Sequence, residues 1–105
     1  MKVVVTGGAG FVGANVCRLL AADPRIGEVV AFDDLSTGFR SNLDGIDAEL
    51  VEGTFVDPDQ IADVVAGAAS VVHLGARPSV PRSIVDPVAS HAANATGTVN
   101  VLEAA

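Results

Sequence analysis

A glycine-rich stretch at residues 3–13 constrains the fold of this chain more than any other part of the sequence. It begins with three consecutive valines, a short apolar run that suits a strand buried on both faces of a parallel sheet. Glycines follow at positions 7, 8, 10 and 13, and an amphipathic helix is predicted behind them, with an apolar stripe of Val12, Val16, Leu19 and Leu20. A strand, a glycine turn and a helix occur in this order where a helix N-terminus binds a dinucleotide pyrophosphate.

An acidic residue stands where a dinucleotide site needs one. Residues 28–32 form a second apolar run, and Asp33 closes it 20 positions after Gly13. A carboxylate at the end of a second strand accepts hydrogen bonds from the adenosine ribose hydroxyls and repels a 2′-phosphate. The spacing therefore predicts an NAD site. The alternative is a generic strand–helix–strand unit whose glycines only shape a turn.

The rest of the chain continues to alternate between strands and helices. Residues 34–46 are predicted to form a loop with one helical turn, and short strands are expected at 48–52 and 70–74. Between these strands, Asp57 is expected to cap a helix with Gln60 reaching back as a capping box. That helix has an apolar stripe and a C-terminal glycine: Ile61, Val64, Val65 and Gly67.

A loop over residues 75–85 and a last helix capped by Asp86 complete the alternation. This helix is predicted to pack through one apolar face made of Val88, Ala92, Ala95, Val99 and Leu102. The pattern predicts an α/β fold, a Rossmann-like doubly wound parallel sheet of about four strands and three to four helices over residues 1–105. In the strand order 3-2-1-4 the fourth strand is left as a bare edge, so we expect this chain to be the N-terminal portion of a longer protein.

Composition narrows the class of function. The 105 residues carry a net charge of −7, and the six basic residues are scattered, which argues against nucleic-acid binding. No apolar segment approaches the length of a membrane span, so no membrane partner is expected. Cys17 is the single cysteine, is predicted to pack as a small apolar residue, and fits a cytoplasmic location.

Four motifs give the chain a family resemblance: V-V-V-T-G-G-A-G-F-V-G, F-D-D-L-S-T-G, V-V-H-L-G-A-R-P-S-V-P-R-S and N-A-T-G-T-V-N-V-L-E-A-A. Together they resemble the extended short-chain dehydrogenase/reductases, in the NAD-dependent epimerase/dehydratase branch of which UDP-glucose 4-epimerase is typical. The resemblance implies a nucleotide-sugar substrate for the parent protein and allows a homodimer. It implies that NAD is held by Gly7, Gly10, Phe11, Val12, Gly13, Asp33, Asp34, Leu35, Ser36, Thr37, Gly38, Thr54, Phe55, Leu74, Gly75, Ala76 and Arg77. In addition, Asn94 would brace the turn after the fourth strand, and Ser79, Val80 and Ser83 would border the substrate.

Two positions depart from the family pattern. Thr54 stands where the family has an adenine-contacting aspartate, and Gly75 replaces the first alanine of H-L-A-A. The family's chemistry also requires a Tyr-x-x-x-Lys pair, whose tyrosinate removes a proton from the sugar 4-hydroxyl as hydride passes to NAD. The chain has no tyrosine, and its single lysine is Lys2. We therefore expect this segment to contain no catalytic residue and to be inactive by itself.

Other candidate groups are weaker. His73 could serve in acid–base chemistry, but a hydrogen-bonded core histidine is the favoured interpretation. His91 is expected to be exposed, and the two histidines do not make a metal site. Three hypotheses follow: an NAD-dependent sugar-nucleotide epimerase or dehydratase represented by its N-terminal segment, a non-catalytic dinucleotide-binding module or redox sensor, and a structural piece that binds nothing.

Overall fold

A computed structural model describes residues 1–76 and 80–105 of the chain, apart from the side chains of residues 80 and 82. Its centre is a four-stranded parallel sheet in the order β3-β2-β1-β4. The strands are β1 (Lys2–Thr6), β2 (Glu28–Asp33), β3 (Glu49–Glu52) and β4 (Ser70–His73). The predicted strand order and the Rossmann-like fold are confirmed.

Within the described residues, five α-helices connect or flank the strands: α1 (Phe11–Ala21), α2 (Pro58–Val65), α3 (Val80–Val85), α4 (Pro87–His91) and α5 (Gly97–Ala104). A 3₁₀ turn (Arg40–Leu43) lies in the loop after β2, and it is the helical turn predicted for residues 34–46. A π-helical turn (Ala92–Thr96) joins α4 to α5 without a break. The sequence does not predict that turn.

The two central strands, β1 and β2, are buried on both faces, as their runs of valine require, and the outer strands are partly buried. On one face, Val4, Val30 and Phe32 pack with Ile61 of α2 and Val101 of α5. On the other face, the alternate strand residues pack with α1, in a cluster of Val5, Ala9, Ala14, Cys17, Val29, Ala31 and Leu43. Helices therefore pack against both faces of the sheet and hold the carboxyl ends of its strands in place.

The apolar stripe predicted for α1 is correct only in part. Val16 and Leu20 are partly buried and pack against the cluster on this face of the sheet, whereas Val12 is 59% exposed and Leu19 is 69% exposed. The fully buried residues of the helix are Gly13, Ala14 and Cys17. The glycine turn brings the start of the helix so close to β1 that a Cβ on Gly13 would collide with the carbonyl oxygen of Gly7. Small residues fit at this distance, so glycine, alanine and cysteine face the sheet directly, and Val12 and Leu19 stay exposed.

The capping of α2 agrees with the sequence in part. The Asp57 carboxylate accepts hydrogen bonds from the amides of Asp59 at 2.9 Å and of Gln60 at 3.4 Å. The Gln60 side chain does not complete a capping box, because its Oε1 accepts from the Thr54 amide at 2.8 Å. Ile61, Val64 and Val65 are buried as predicted, and Gly67 ends the helix with a φ of 76°.

The last third of the chain departs most from the predictions. The expected loop over residues 75–85 contains helix α3 from residue 80, with Pro81 in its first turn, where proline is tolerated. Asp86 caps α4 as predicted. The packing face predicted for the last helix is wrong, because Val88, Val99 and Leu102 are exposed while Gly97 and Val101 are buried. A π turn shifts the helical phase by about one residue, so a stripe counted at α spacing does not stay on one face.

Candidate cofactor-binding groove

A groove of about 900 Å³ lies at the carboxyl ends of the strands, where ligands bind in open α/β sheets. Fourteen of the residues named from the sequence line it: Gly7, Gly10, Phe11, Val12, Gly13, Asp33, Asp34, Ser36, Thr37, Thr54, Phe55, Leu74, Gly75 and Ala76. These residues come from the ends of all four strands and from the start of α1. The structure therefore brings together most of the site that the sequence predicts.

The glycine turn forms a cradle for an anion. Gly7 has a φ of 69°, and a Cβ at this position would lie 2.9 Å from the Gly75 amide nitrogen. Gly10 is the N-cap of α1 and supplies no side-chain cap, and no acidic residue lies in the first helical turn. The amides at the start of α1 are thus left for a ligand, and the helix dipole favours a negatively charged group there. A pyrophosphate fits this part of the groove.

Asp33 lies next to this cradle at the end of β2. Its Oδ2 accepts from the Ala9 amide at 3.0 Å, and its Oδ1 accepts from the Leu35 amide at 2.8 Å. These two bonds fix the orientation of the carboxylate. Each oxygen keeps a further lone pair, so the side chain can still accept hydrogen bonds from ribose hydroxyls.

The loop after β2 divides into groove-lining and supporting residues. Asp34, Ser36 and Thr37 line the groove, and the Asp34 carboxylate accepts from the Ser36 amide at 2.9 Å. Leu35 does not line it; this residue has a φ of 63° and packs against the buried α1 side of the sheet. Gly38 also lies behind the groove, where a Cβ would approach the Ala9 carbonyl carbon to 2.9 Å.

The β3 end carries Thr54, Phe55 and Val56 into the groove. The Thr54 hydroxyl accepts from the Val56 amide at 3.1 Å, which leaves its proton and a second lone pair for a base. Asn100 of α5 donates from Nδ2 to the carbonyl oxygens of Phe55 and Val56, both at 3.0 Å. Helix α5 therefore holds this loop in place from behind.

Phe55 and Gly75 explain one of the departures from the family pattern. A Cβ on Gly75 would collide with the Phe55 ring, and so would a Cβ on Gly97 of α5. The same ring meets the His73 imidazole edge-on, with ring centroids 5.2 Å apart and an interplanar angle of 89°. Gly75 is thus a glycine because an aromatic ring fills the space of its side chain.

The end of β4 is tied to the glycine turn by Thr6. The amides of Leu74 and Gly75 both donate to Thr6 Oγ1, each at 3.1 Å. His73 contacts the same hydroxyl through Nδ1 at 2.6 Å and contacts Thr98 Oγ1 through Nε2 at 3.1 Å. Burial lowers the pKa of His73 below its ordinary value. The interpretation of His73 as a hydrogen-bonded histidine is confirmed, and His91 is exposed as expected.

The other predicted site residues do not line the groove or lie outside the described part of the chain. Asn94 lies in the π-helical turn, and its bracing role stays a prediction. Ser83 lies in α3, and the side chain of Val80, at the start of that helix, falls outside the description. Arg77 and Ser79 lie outside the described residues. The sequence analysis missed Ala89, Ala92 and Ala93 of the α4 region, which line the groove; alanines in a helix carry no chemical signal that could have marked them.

Two other kinds of site are missing from the described ranges 1–76 and 80–105. They hold no cluster of three or more side chains that could bind a metal ion. None of their helices is long and apolar enough to cross a membrane. Lys2, the single lysine of the sequence, lies at the start of β1, and its Nζ donates to the Ala66 carbonyl at 3.1 Å. Because all strands are parallel, this lysine lies at the amino-terminal ends of the strands, whereas the groove lies at their carboxyl ends.

Comparison with known proteins agrees with this geometry. The family model of the NAD-dependent epimerase/dehydratase family matches residues 3–105. The chain belongs to this family. A dTDP-glucose 4,6-dehydratase of Mycolicibacterium smegmatis is 36% identical over 99% of the chain and 32% of its own length. A UDP-glucose 4-epimerase of the same organism is 38% identical over 100% of the chain and 34% of its own length.

Solved structures show the same relation. The UDP-glucose 4-epimerase of Thermus thermophilus in complex with NAD superimposes with a TM-score of 0.86 at 34% identity. The match covers 99% of this chain and 33% of that protein. The chain thus spans about a third of the length of the relatives it matches, and the match includes every strand of the groove.

Proposed function

We propose that this chain is the NAD-binding segment of an enzyme that acts on nucleotide sugars, as UDP-glucose 4-epimerase or a related dehydratase does. The observation that carries the proposal is the continuous groove from Asp33, across the glycine turn, to the end of β4. Its acidic, amide-rich and apolar parts follow one another in the order in which a dinucleotide presents ribose, pyrophosphate and nicotinamide. The epimerase of Thermus thermophilus, whose structure contains NAD, supports the same assignment.

The roles follow from position in the groove. The amides of Phe11, Val12 and Gly13 would bind the pyrophosphate, and Asp33 would bind the adenosine ribose. Since the strand order places β3 beyond β2, Thr54 and Phe55 would lie beside the adenine. Leu74, Gly75 and Ala76 at the end of β4 would face the nicotinamide half, with Arg77 following them. Bound NAD would supply the hydride acceptor for the sugar carbon.

Cofactor selectivity tests this assignment. NAD should bind more tightly than NADP by about tenfold or more, because the 2′-phosphate would meet the Asp33 carboxylate and juxtaposed like charges cost several kcal/mol. Asp33→Ala should narrow that ratio, measured by calorimetric titration of both cofactors. Asp44→Ala, at an exposed acid outside the groove, is the matched control and should leave the ratio unchanged. Equal affinities in the unsubstituted chain would refute the assignment.

The chemistry of the parent protein is tested with the natural gene product. Interconversion of UDP-glucose and UDP-galactose identifies an epimerase, whereas loss of water from a dTDP-sugar identifies a dehydratase, the class of the other Mycolicibacterium relative. The 105-residue chain alone should show neither activity, because it has no tyrosine and Lys2 lies at the amino-terminal end of β1, away from the groove. Turnover by this chain alone would contradict the proposal that its role is cofactor binding.

A cytoplasmic location and a homodimeric assembly are further parts of the proposal. The single cysteine and the net charge of −7 support the location, because one cysteine cannot form a disulfide within the chain and the acidic balance favours solubility. The assembly draws support from the exposed apolar residues of the last helix, among them Val88, Val99 and Leu102. Light scattering of the natural gene product and fractionation of the cells that produce it test the two points.

A further inference from the structure

Three side chains form a chain of hydrogen bonds directly beneath the groove. Thr6 at the end of β1 contacts His73 at the end of β4, with 2.6 Å between Thr6 Oγ1 and His73 Nδ1. His73 in turn contacts Thr98 of α5, with 3.1 Å between Nε2 and Thr98 Oγ1. The two strand residues are register partners, so their side chains lie on the same face of the sheet, towards α5.

The other partners of Thr6 fix the direction of the first bond. Thr6 Oγ1 already accepts hydrogen bonds from the amides of Leu74 and Gly75, and the Leu74 amide is shared with the Thr6 carbonyl oxygen at 3.2 Å. A hydroxyl has two lone pairs and one proton, so both acceptor positions are taken and only the proton remains. Thr6 must therefore donate to His73 Nδ1. This ring nitrogen is an acceptor and carries no proton.

The other end of the chain agrees with that direction. The Thr98 hydroxyl donates its single proton to the Asn94 carbonyl oxygen at 2.9 Å. Towards His73 it can then act only as an acceptor, so His73 Nε2 must be the donor. Two independent sets of partners thus specify the same form of the imidazole, neutral with its proton on Nε2.

We propose that His73 is a positioning residue which, as the neutral Nε2–H tautomer, fastens the groove-lining end of β4 to helix α5. His73 does not line the groove itself, and both ring nitrogens are occupied, so it acts through its neighbours. By holding the Thr6 proton, it orients the Thr6 lone pairs towards the amides of Leu74 and Gly75. Burial of the ring, which lowers the pKa of His73, keeps the neutral form present at neutral pH.

Close packing makes the position of Gly75 sensitive to this anchor. The nearest neighbour of a Cβ on Gly7 would be the Gly75 amide nitrogen, at 2.9 Å, so the glycine turn and the end of β4 are already in contact. On its other side, Gly75 abuts the Phe55 ring, which itself packs edge-on against His73. A shift of the β4 end would change the floor of the groove. The effect on NAD binding rests on the proposed function, whereas the tautomer and the backbone anchor do not.

The first test reads the tautomer and the anchor without any ligand. In the full chain labelled with ¹⁵N-histidine, His73 should show an unprotonated Nδ1 and a protonated Nε2, and His91→Phe identifies the signals because the chain has two histidines. Amide hydrogen exchange should show protection of Leu74 and Gly75. His73→Phe keeps a ring beside Phe55 but removes both hydrogen bonds, so exchange at the Gly75 amide should accelerate about three- to tenfold. The Leu74 amide should respond less, because it keeps its bond to the Thr6 carbonyl oxygen at 3.2 Å.

The second test asks whether the anchor matters for binding. His73→Phe and Thr98→Val, which removes the helix end of the chain of bonds alone, should each weaken NAD binding by about three- to tenfold. His73→Asn should recover part of the loss, because its side-chain oxygen can take the place of Nδ1 as the acceptor for Thr6. His91→Phe, at an exposed histidine, is the matched control and should not change the affinity.

The outcomes separate this proposal from the proposed function. A proton on Nδ1, or unchanged exchange of Gly75 in a folded His73→Phe variant, would overturn the positioning role whether or not NAD binds. An unsubstituted chain that shows the expected tautomer and protection but binds no NAD would leave the anchor standing and refute the cofactor assignment. NAD binding that is unaffected by His73→Phe would overturn the link between the anchor and the groove.

Discussion

Cys17 is the most completely buried reactive group in the described residues, and its surroundings decide its chemistry. The side chain is 0% exposed and lies between α1 and the sheet. Burial raises the pKa of the thiol to about 11. Since the thiolate is the nucleophile, this residue is a packing residue and not a reactive thiol, as its position in the sequence predicts.

This environment predicts slow thiol chemistry in the folded chain. Ellman's reagent should not react with Cys17 until denaturant unfolds the protein, because both thiolate formation and access are blocked. The folded pKa lies above the ordinary value of 9.0, so stability from the neutral thiol is complete below pH 9 and is lost as the pH rises towards 11. Rapid labelling of the native chain at neutral pH would show that the α1 packing described above is incorrect.

Gly75 has no room for a side chain, because the Phe55 ring fills the space beside it. Gly75→Ala should lower the free energy of unfolding by about 1–3 kcal/mol, because the new Cβ meets the Phe55 ring and a filled core resists overpacking. Phe55→Val opens space at the same place. The double variant should therefore lose less stability than the sum of the single losses, by at least about 0.5 kcal/mol in urea denaturation. Strict additivity would mean that the ring does not fill this space.

At the scale of elements, α2 depends on its cap. Asp57 satisfies two amides at the start of the helix, so Asp57→Ala should cost about 1 kcal/mol of unfolding free energy. Asp63→Ala provides the matched control, since Asp63 is an exposed acid near the C-terminal end of the same helix and should be neutral or slightly stabilising when removed. Equal losses in the two variants would mean that charge and not capping is responsible.

The contact between β4 and α5 predicts an acid-sensitive stability. Because the folded chain lowers the pKa of His73 below 6.5, the unfolded chain takes up a proton first as the pH falls. Unfolding free energy should therefore decrease below the unfolded pKa and level off once the folded histidine is also protonated. The hydrogen-bond partners of the ring are Thr6 and Thr98 and its ring partner is Phe55, and none of these side chains is charged.

Urea midpoints measured between about pH 7.5 and about pH 5 in His73→Phe and His91→Phe test this point. The histidine-dependent part of the pH effect should disappear in the first variant and persist in the second. The same pH dependence in both variants would assign the effect to other groups.

For the whole molecule, the sequence predicts the sheet better than the helices around it. Buried strands such as residues 3–5 and 29–32 are continuous apolar runs, and the glycine spacing fixes the first turn, so strand order and groove follow from local patterns. The packing face of α1 follows only in part, and that of the last helix does not follow. The first depends on how closely Gly13 approaches Gly7, and the second on a π turn and on Phe55 against Gly97.

The candidate site divides in the same way. Residues proposed to bind through the backbone or through a carboxylate, such as Gly10 and Asp33, are marked by spacing and by residue type. Ala89, Ala92 and Ala93 line the groove only because the chain returns over β4, and the Thr6–His73–Thr98 bonds join residues up to 67 positions apart, between Thr6 and His73. Such contacts depend on tertiary structure, and no local pattern in one sequence contains them.

The central claim is that the glycine cradle binds the pyrophosphate of NAD, and Gly10 offers the most direct test. An alanine here would contact only the Gly7 carbonyl oxygen within 4 Å, at 3.3 Å, and the φ of −76° suits any residue, so the fold should persist. Its methyl group would stand where the pyrophosphate must approach the backbone. Calorimetric titration should show one NAD bound per unsubstituted chain and, in a Gly10→Ala variant with an unchanged melting temperature, at least about tenfold weaker binding. Equal NAD affinity in both chains, or no binding to the folded unsubstituted chain, would contradict the account.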